Sequence, residues 1–208
     1  MREIDTQIII DYVKKIIREI DAKIMVEASG RHVHLSEKDA IALFDTETLN
    51  KLKDLSQPGQ YVSDKKVTLI GPKGVLENVT VLGPCRDKTQ VELSMTDAKK
   101  IGVPPVVRES GDLKDTPGMI ICANGHSVQT ENSVIVAQRH IHMTPDDAKM
   151  LDVSDREIVK VNVNGKRSLI FDDVIVRVNA NYRLSMHIDY DEANAVGLDN
   201  TSYGIILR

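Results

Sequence analysis

Four of the six histidines in this 208-residue chain stand in two matched pairs, His32 with His34 and His140 with His142. Their surroundings match as well. Arg31-His32-Val33-His34-Leu35-Ser36 returns as Arg139-His140-Ile141-His142-Met143-Thr144, and each run continues to an acidic residue followed by alanine, Asp39-Ala40 and Asp147-Ala148. Side chains on a β-strand alternate between faces, so the two histidines of each pair point the same way. Imidazoles that converge on one face are ligands for a divalent metal such as zinc. A single His-x-His is more often just a polar stripe on a strand; its recurrence, with a further ligand-type residue in matched register in each half, is what favours metal binding.

Two further segments share the register. Glu92-Leu93-Ser94 and His187-Ile188-Asp189 align with His34-Leu35-Ser36 and His142-Met143-Thr144, and they too lead to an acid and alanine, Asp97-Ala98 and Glu192-Ala193. The register therefore nominates two ligand triplets: His32, His34 and Glu92, and His140, His142 and His187. Two histidines with a carboxylate, and three histidines, are both ligand sets of catalytic zinc, which keeps a fourth position open. Structural zinc is more often closed by four ligands that include cysteine, and Cys85 and Cys122 lie outside the register. Two open sites related by a pseudo-twofold axis can polarise an oxygen and orient a nucleophile.

Arg86 follows Gly83-Pro84-Cys85, and its counterpart in the second half is Asn181. The shared fold does not demand that charge, so contact with a phosphate or carboxylate competes with a surface salt bridge as its role. The loop Arg108-Glu109-Ser110-Gly111 offers a hydroxyl and backbone N–H groups to an anion. His126 belongs to no register position and reads as an ordinary loop or strand histidine. There is no Walker loop, dinucleotide fingerprint or Gly-x-Ser-x-Gly elbow, so a bound phosphate would rest on metal and arginine.

The elements that must carry these residues are short. Ser36, Ser94, Thr144 and Asp189 are favourable helix N-caps, and the acid three residues later gives a box-like arrangement. Leu43, Ile101, Leu151 and Val196 then mark the apolar end of each short helix, so a strand–cap–helix unit recurs four times. Lys66–Ile70 and Val75–Leu82 flank Gly71-Pro72-Lys73-Gly74 as a hairpin, and Ile158–Val163 and Ser168–Val178 flank Asn164-Gly165, a two-residue turn signal. Leu76–Val81 and Phe171–Val176 align without gaps through to the third ligands, which makes the chain an internal duplication, mainly β with short α-helices. Residues 104–136, rich in proline and glycine, read as an insertion of loops and one or two extra strands. Ile4, Ile8, Tyr12, Ile16 and Ile20 give residues 1–21 the pattern of an amphipathic helix, which either packs on its own protein or docks elsewhere.

Composition narrows the classes. A net charge of −4, 3% aromatic residues and no tryptophan argue against a nucleic-acid binder. Two cysteines provide no disulfide framework and suit a reducing, cytoplasmic setting. No apolar run approaches the roughly 18 residues needed to span a bilayer, and no secretory signal pattern is present.

The segments Ser29–Ser36, Gln57-Pro58-Gly59-Gln60-Tyr61, Leu82-Gly83-Pro84-Cys85-Arg86, Gln90-Val91-Glu92, Val136–Met143 and Met186-His187-Ile188-Asp189 resemble the PduL-type phosphate propanoyltransferase family. The resemblance runs from about residue 24 to the end. It implies two pseudo-symmetric β-barrel domains capped by short helices, residues 30–138 forming one and residues 22–29 with 139–208 the other. It also implies an enzyme that interconverts acyl-CoA (propanoyl-CoA or acetyl-CoA) plus inorganic phosphate with acyl-phosphate plus CoA, at two Zn2+ per chain. The six nominated ligands match those of the family. Arg86 matches its catalytic, phosphate-contacting arginine, and Ser110 a phosphate-contacting serine. Cys85 is expected to have no role, and Arg183 is a candidate contact for CoA. Homodimers are expected, and the N-terminal helix is similar to those that direct members into bacterial microcompartments for propanediol degradation, with shell or core proteins as partners. Reading the residues alone leaves two rivals, a two-zinc hydrolase of esters or amides and a non-catalytic zinc-stabilised scaffold.

Overall fold

A computed structural model describes residues 23–207; the amphipathic helix expected over residues 1–21 lies outside the described residues. Along the chain run β1 (Ile24–Ser29), β2 (His32–Ser36), α1 (Glu37–Phe44), β3 (Lys51–Asp54), β4 (Tyr61–Gly71), β5 (Gly74–Arg86), β6 (Gln90–Glu92), α2 (Met95–Ile101), β7 (Val107–Arg108), β8 (Ile120–Ala123), β9 (His126–Gln129) and β10 (Val134–Ala137). The second half continues with β11 (His140–Met143), α3 (Pro145–Leu151), β12 (Ile158–Asn164), β13 (Leu169–Val178), β14 (Ser185–Asp189), α4 (Tyr190–Val196) and β15 (Tyr203–Leu207). The molecule is mainly β, with short helices.

Two sheets result. One is a closed six-stranded barrel, β1-β14-β11-β13-β12-β15; the other is a curled nine-stranded sheet, β7-β10-β6-β2-β5-β4-β8-β9, with β3 added to β4. Six strands of the second sheet repeat the barrel one for one. β10-β6-β2-β5-β4-β8 run parallel, antiparallel, parallel, antiparallel, antiparallel across successive pairs, and β1-β14-β11-β13-β12-β15 do the same. The duplication reaches single backbone angles: Asn78 and Asp173, at matching positions, both take the left-handed conformation (φ 58° and 51°) that Asn and Asp tolerate best. In the second half β15 also pairs with β1 and closes the barrel. In the first, β8 pairs instead with β9.

The strand before each His-x-His segment belongs to the other half's sheet. β1 precedes β2 in the chain but pairs with β14, while β10 precedes β11 and pairs with β6. Residues 104–136 are thus richer in strand than their composition suggests, holding β7, β8, β9 and most of β10, and β10 is the counterpart of β1 rather than unique. Because of this exchange, Gly30-Arg31 and Gln138-Arg139 cross between the sheets beside the histidines.

Each helix is capped as expected: the side chains of Ser36, Ser94, Thr144 and Asp189 accept from the backbone N–H of Asp39, Asp97, Asp147 and Glu192. Full capping boxes form only at Thr144 and Asp189. In the first half the reciprocal acids are engaged elsewhere, Asp39 by the Thr89 hydroxyl and Asp97 by Arg31 at 3.0 Å. Leu43, Ile101, Leu151 and Val196 are all buried and join the two cores.

Both hairpin tips serve as C-caps. Lys73 N donates to Ile101 O at 2.9 Å, and Arg167 N donates to Val196 O at 3.0 Å, which satisfies carbonyls that a helix end leaves unpaired. Such close approach needs glycine: a Cβ on Gly71 would lie 2.4 Å from Ile101 O, and one on Gly165 2.3 Å from Val196 O. The second hairpin is accordingly not the two-residue turn that Asn164-Gly165 suggests. Its last pair is Val163 with Leu169, and Asn164 stays in β12, accepting from Tyr203 N at 2.6 Å. The helix end, not local turn preference, sets this loop. Among the described residues no helix is long and apolar enough to cross a membrane.

Candidate active site

The strand pairing explains both triplets. His32 lies opposite Glu92 across β2 and β6, and His140 lies opposite His187 across β11 and β14. Cross-strand partners share a face, and residues two apart on a strand share it too, so His34 and His142 complete each set. Ligand-type atoms of His32, His34 and Glu92 lie within 4.8 Å of one another, as do those of His140, His142 and His187. Both sets line one cleft of about 590 Å³ together with Arg86 and Ser110. The six nominated ligands, Arg86 and Ser110 all meet there.

Hydrogen bonds fix how the imidazoles present themselves. His32 Nδ1 lies 2.8 Å from Gly30 O and His140 Nδ1 2.8 Å from Gln138 O. A carbonyl can only accept, so Nδ1 carries the proton in each case and, in the neutral ring, Nε2 keeps its lone pair. The crossing segments thereby set the tautomer in both halves. His34 Nδ1 and His142 Nδ1 are buried with no hydrogen-bond partner at all. A buried nitrogen left in that state costs on the order of 1–3 kcal/mol, and a metal ion would relieve it. The donor set and these two unsatisfied atoms therefore fit a divalent metal in each triplet.

Electrostatics agree with neutral ligand histidines. Burial, aided by His32 and Arg86, pushes His34 down to about 2; burial with His140 and His187 nearby does the same to His142, to about 2. His140 and His187 fall to about 4, again chiefly through burial. His32 differs: burial pulls it down, but the charge and hydrogen bond of Glu92, 3.5 Å away, raise it overall. Glu92 itself, despite burial that would raise it, is held well below the usual carboxylate range by His32, His34 and Arg86.

Around the ligands lies a layer to which sequence reasoning assigned no role, although Gln57 and Gln90 stand in segments that carry the resemblance. Gln90, 2% exposed and opposite His34, donates to Glu92 Oε1 at 2.6 Å and to Ser110 Oγ at 2.9 Å, and accepts from Gly111 N at 2.8 Å. It pins the Ser110 loop onto the site. Ser110 also donates to Glu92 at 3.1 Å and accepts from Arg86 Nη1 at 3.3 Å. In the second half, Ser185 stands where Gln90 stands in the first, 3.0 Å from His187 Nε2. Gln57 reaches across from the first half and donates to Ser185 Oγ at 2.8 Å and to Arg183 O at 2.9 Å. Glu27 faces His187 Nδ1 at 3.7 Å. The repeated arginines outside the cleft chemistry are anchors, Arg31 on Asp97 and Arg139 on Glu192. Gln57 is set by partners 126 and 128 residues away, and Gln90, though two residues from Glu92, also by Ser110 and Gly111, 20 and 21 residues on.

Three residues fall outside the cleft lining. Arg183 is exposed, its backbone bracketing Gln57. Cys85 leans on Glu47 O at 3.5 Å with its thiol pushed up by burial. His126 sits on β9, exposed, 3.9 Å from Asp45.

Comparison with known proteins identifies the family. A family model described as phosphate propanoyltransferase matches residues 25–199. The phosphate propanoyltransferase of Sebaldella termitidis is 53% identical, the match covering 97% of this chain and 96% of that protein. That of Alkaliphilus metalliredigens is 48% identical over the full length of both. That of Thermotoga maritima is 52% identical over 85% of each.

Proposed function

The chain belongs to the phosphate propanoyltransferase family and is an enzyme, a phosphate acyltransferase; from that premise we propose that it interconverts propanoyl-CoA plus inorganic phosphate with propanoyl-phosphate plus CoA, at two zinc ions. The observation that carries this reading is the meeting of two open ligand triplets with Arg86 and Ser110 in one cleft. His32, His34 and Glu92 would hold one ion, and His140, His142 and His187 the other. Zinc bound there would supply Lewis acidity toward the thioester carbonyl and the phosphate oxygens.

The chain's own residues do the rest. Arg86 and Ser110 bind phosphate and aim one oxygen at the thioester carbon. That oxygen forms the new C–O bond, the C–S bond breaks, and CoA leaves as its thiolate. The Arg86 guanidinium faces the charge that develops on the carbonyl oxygen, where a preorganised donor contributes most. Direct transfer suits a cleft lined by neither cysteine. Acetyl-CoA is a second candidate acyl donor of the same reaction.

The test is CoA release from acetyl-, propanoyl- and butanoyl-CoA, with and without phosphate, with zinc measured on the same sample. Phosphate-dependent release at two zinc per chain is expected. Release without phosphate would point to a hydrolase, and no release, with chelation unfolding the protein, to a scaffold. In a host that makes microcompartment shells, residues 1–21 fused to a fluorescent protein are expected to give puncta; diffuse fluorescence would place the enzyme in the open cytoplasm.

A further inference from the structure

Arg177 is a cation without a counterion. It stands on β13, paired with His142 of β11, half-buried and lining the same cleft as Arg86 and Ser110. Among the described residues its guanidinium makes no hydrogen bond and no ion pair, whereas Arg31 and Arg139 are tied to Asp97 and Glu192. Nor does the fold require a charge here. The same position on β5, paired with His34, is held by Leu82, which is 9% exposed.

Taking a guanidinium partly out of water with no acceptor is unfavourable. A second arginine makes it worse: burial holds Arg86 below the usual guanidinium range, Glu92 pulls it back up, and the charge of Arg177 on the other wall of the cleft pushes it down again. Glu92 cannot neutralise both, because His32, Gln90 and Ser110 already engage its oxygens. An anion between the two arginines would relieve the repulsion and give Arg177 the acceptor it lacks.

We propose that Arg177 is the second jaw of a phosphoryl clamp, so that inorganic phosphate, or the phosphoryl group of the acyl phosphate, is gripped by Arg86 and Ser110 from the first half and by Arg177 from the second. The proposal rests on the acyl-transfer reading and deepens it. The first half places its arginine at Arg86 where the second has Asn181, and the second places its own at Arg177 where the first has Leu82. Each half thus contributes one charge, at different registers, to a ligand held between them.

Steady-state kinetics of the zinc-loaded, full-length Arg177→Leu and Arg177→Lys variants test this in both directions. Leucine copies the other half and is expected to fold with unchanged zinc content. In Arg177→Leu, KM for phosphate and for acyl phosphate should rise about tenfold or more, with KM for CoA and acyl-CoA within about twofold. Lysine, with charge but no planar fork, should recover part of the loss. An unchanged phosphate KM would overturn the clamp, and so would a rise confined to CoA and acyl-CoA, which would assign Arg177 to the CoA phosphates. Should the wild type show no phosphate-dependent acyl transfer, the acyl-transfer reading fails separately. Equilibrium binding of inorganic phosphate then decides the clamp: equal affinity in wild type and Arg177→Leu overturns it, and about tenfold weaker binding in the variant supports it.

Discussion

Where one half presents the carboxylate of Glu92, the other presents the imidazole of His187, and the two triplets differ in charge accordingly. An ion held by three neutral imidazoles would keep its full double charge, while one beside Glu92 would be partly neutralised. Glu92→Gln removes that charge while an amide oxygen can still accept from Gln90 and Ser110 as Oε1 does; elemental analysis of the purified variant should find about one zinc per chain rather than two. Arg86 touches Ser110 but none of the six ligands through a hydrogen bond. Arg86→Ala should therefore lower kcat/KM by about a hundredfold or more, the scale of a lost oxyanion donor, with zinc content intact. Unimpaired turnover in that variant would remove Arg86 from the chemistry.

The unit of construction is a strand that delivers a ligand, a capped helix, and a hairpin tip that closes the helix's far end. Its weak points are where backbones nearly touch. Gly165→Ala places a methyl group against Val196 O and should cost about 1–3 kcal/mol, seen as a lower urea midpoint at unchanged m-value; Gly71→Ala should do the same through Ile101 O. An unaltered midpoint in both would mean that the tips are free to move off the helices. The exchange of β1 and β10 between sheets has a chemical consequence as well, since the carbonyls of Gly30 and Gln138 on the crossing segments orient His32 and His140.

Across the whole molecule the histidine cluster couples the site to folding. In the folded chain His140 and His187 titrate near 4 and His34 and His142 near 2, against 6.5 for a free imidazole. Below 6.5 the unfolded chain binds protons that the folded chain refuses, so stability falls as pH drops from about 6.5 through 4. His32, raised, contributes a constant amount below 6.5, and the stabilisation from Glu92 is lost only as pH falls below 4.5. Chelator-treated protein unfolded by urea at pH 7.5, 6.5, 5.5 and 4.5 should lose stability at up to about 1.4 kcal/mol per histidine per pH unit below 6.5. A profile flat from 7.5 to 4.5 would contradict buried neutral histidines. With zinc bound the loss should be steeper, because protons then compete with the ions for the same nitrogens.

Much of this was legible in the chain because it is a duplication. Two copies of one pattern, compared, expose the ligand register, the helix caps and the apolar stops, and their differences at Arg86 and Glu92 mark where chemistry departs from scaffold. Local periodicity suffices for such features, since each depends on neighbours a few residues apart. Gln57 acquires meaning only through Arg183 and Ser185, 126 and 128 residues away, and Arg177 only through its place beside His142 in the cleft it shares with Arg86, which no local pattern encodes. The same holds for the exchange of β1 and β10 and for the Asn164-Gly165 segment, whose turn preference gave way to a helix end that needed its carbonyls capped. Pairing across the sheets, and the burial it imposes on polar atoms, is decided only when the chain closes on itself.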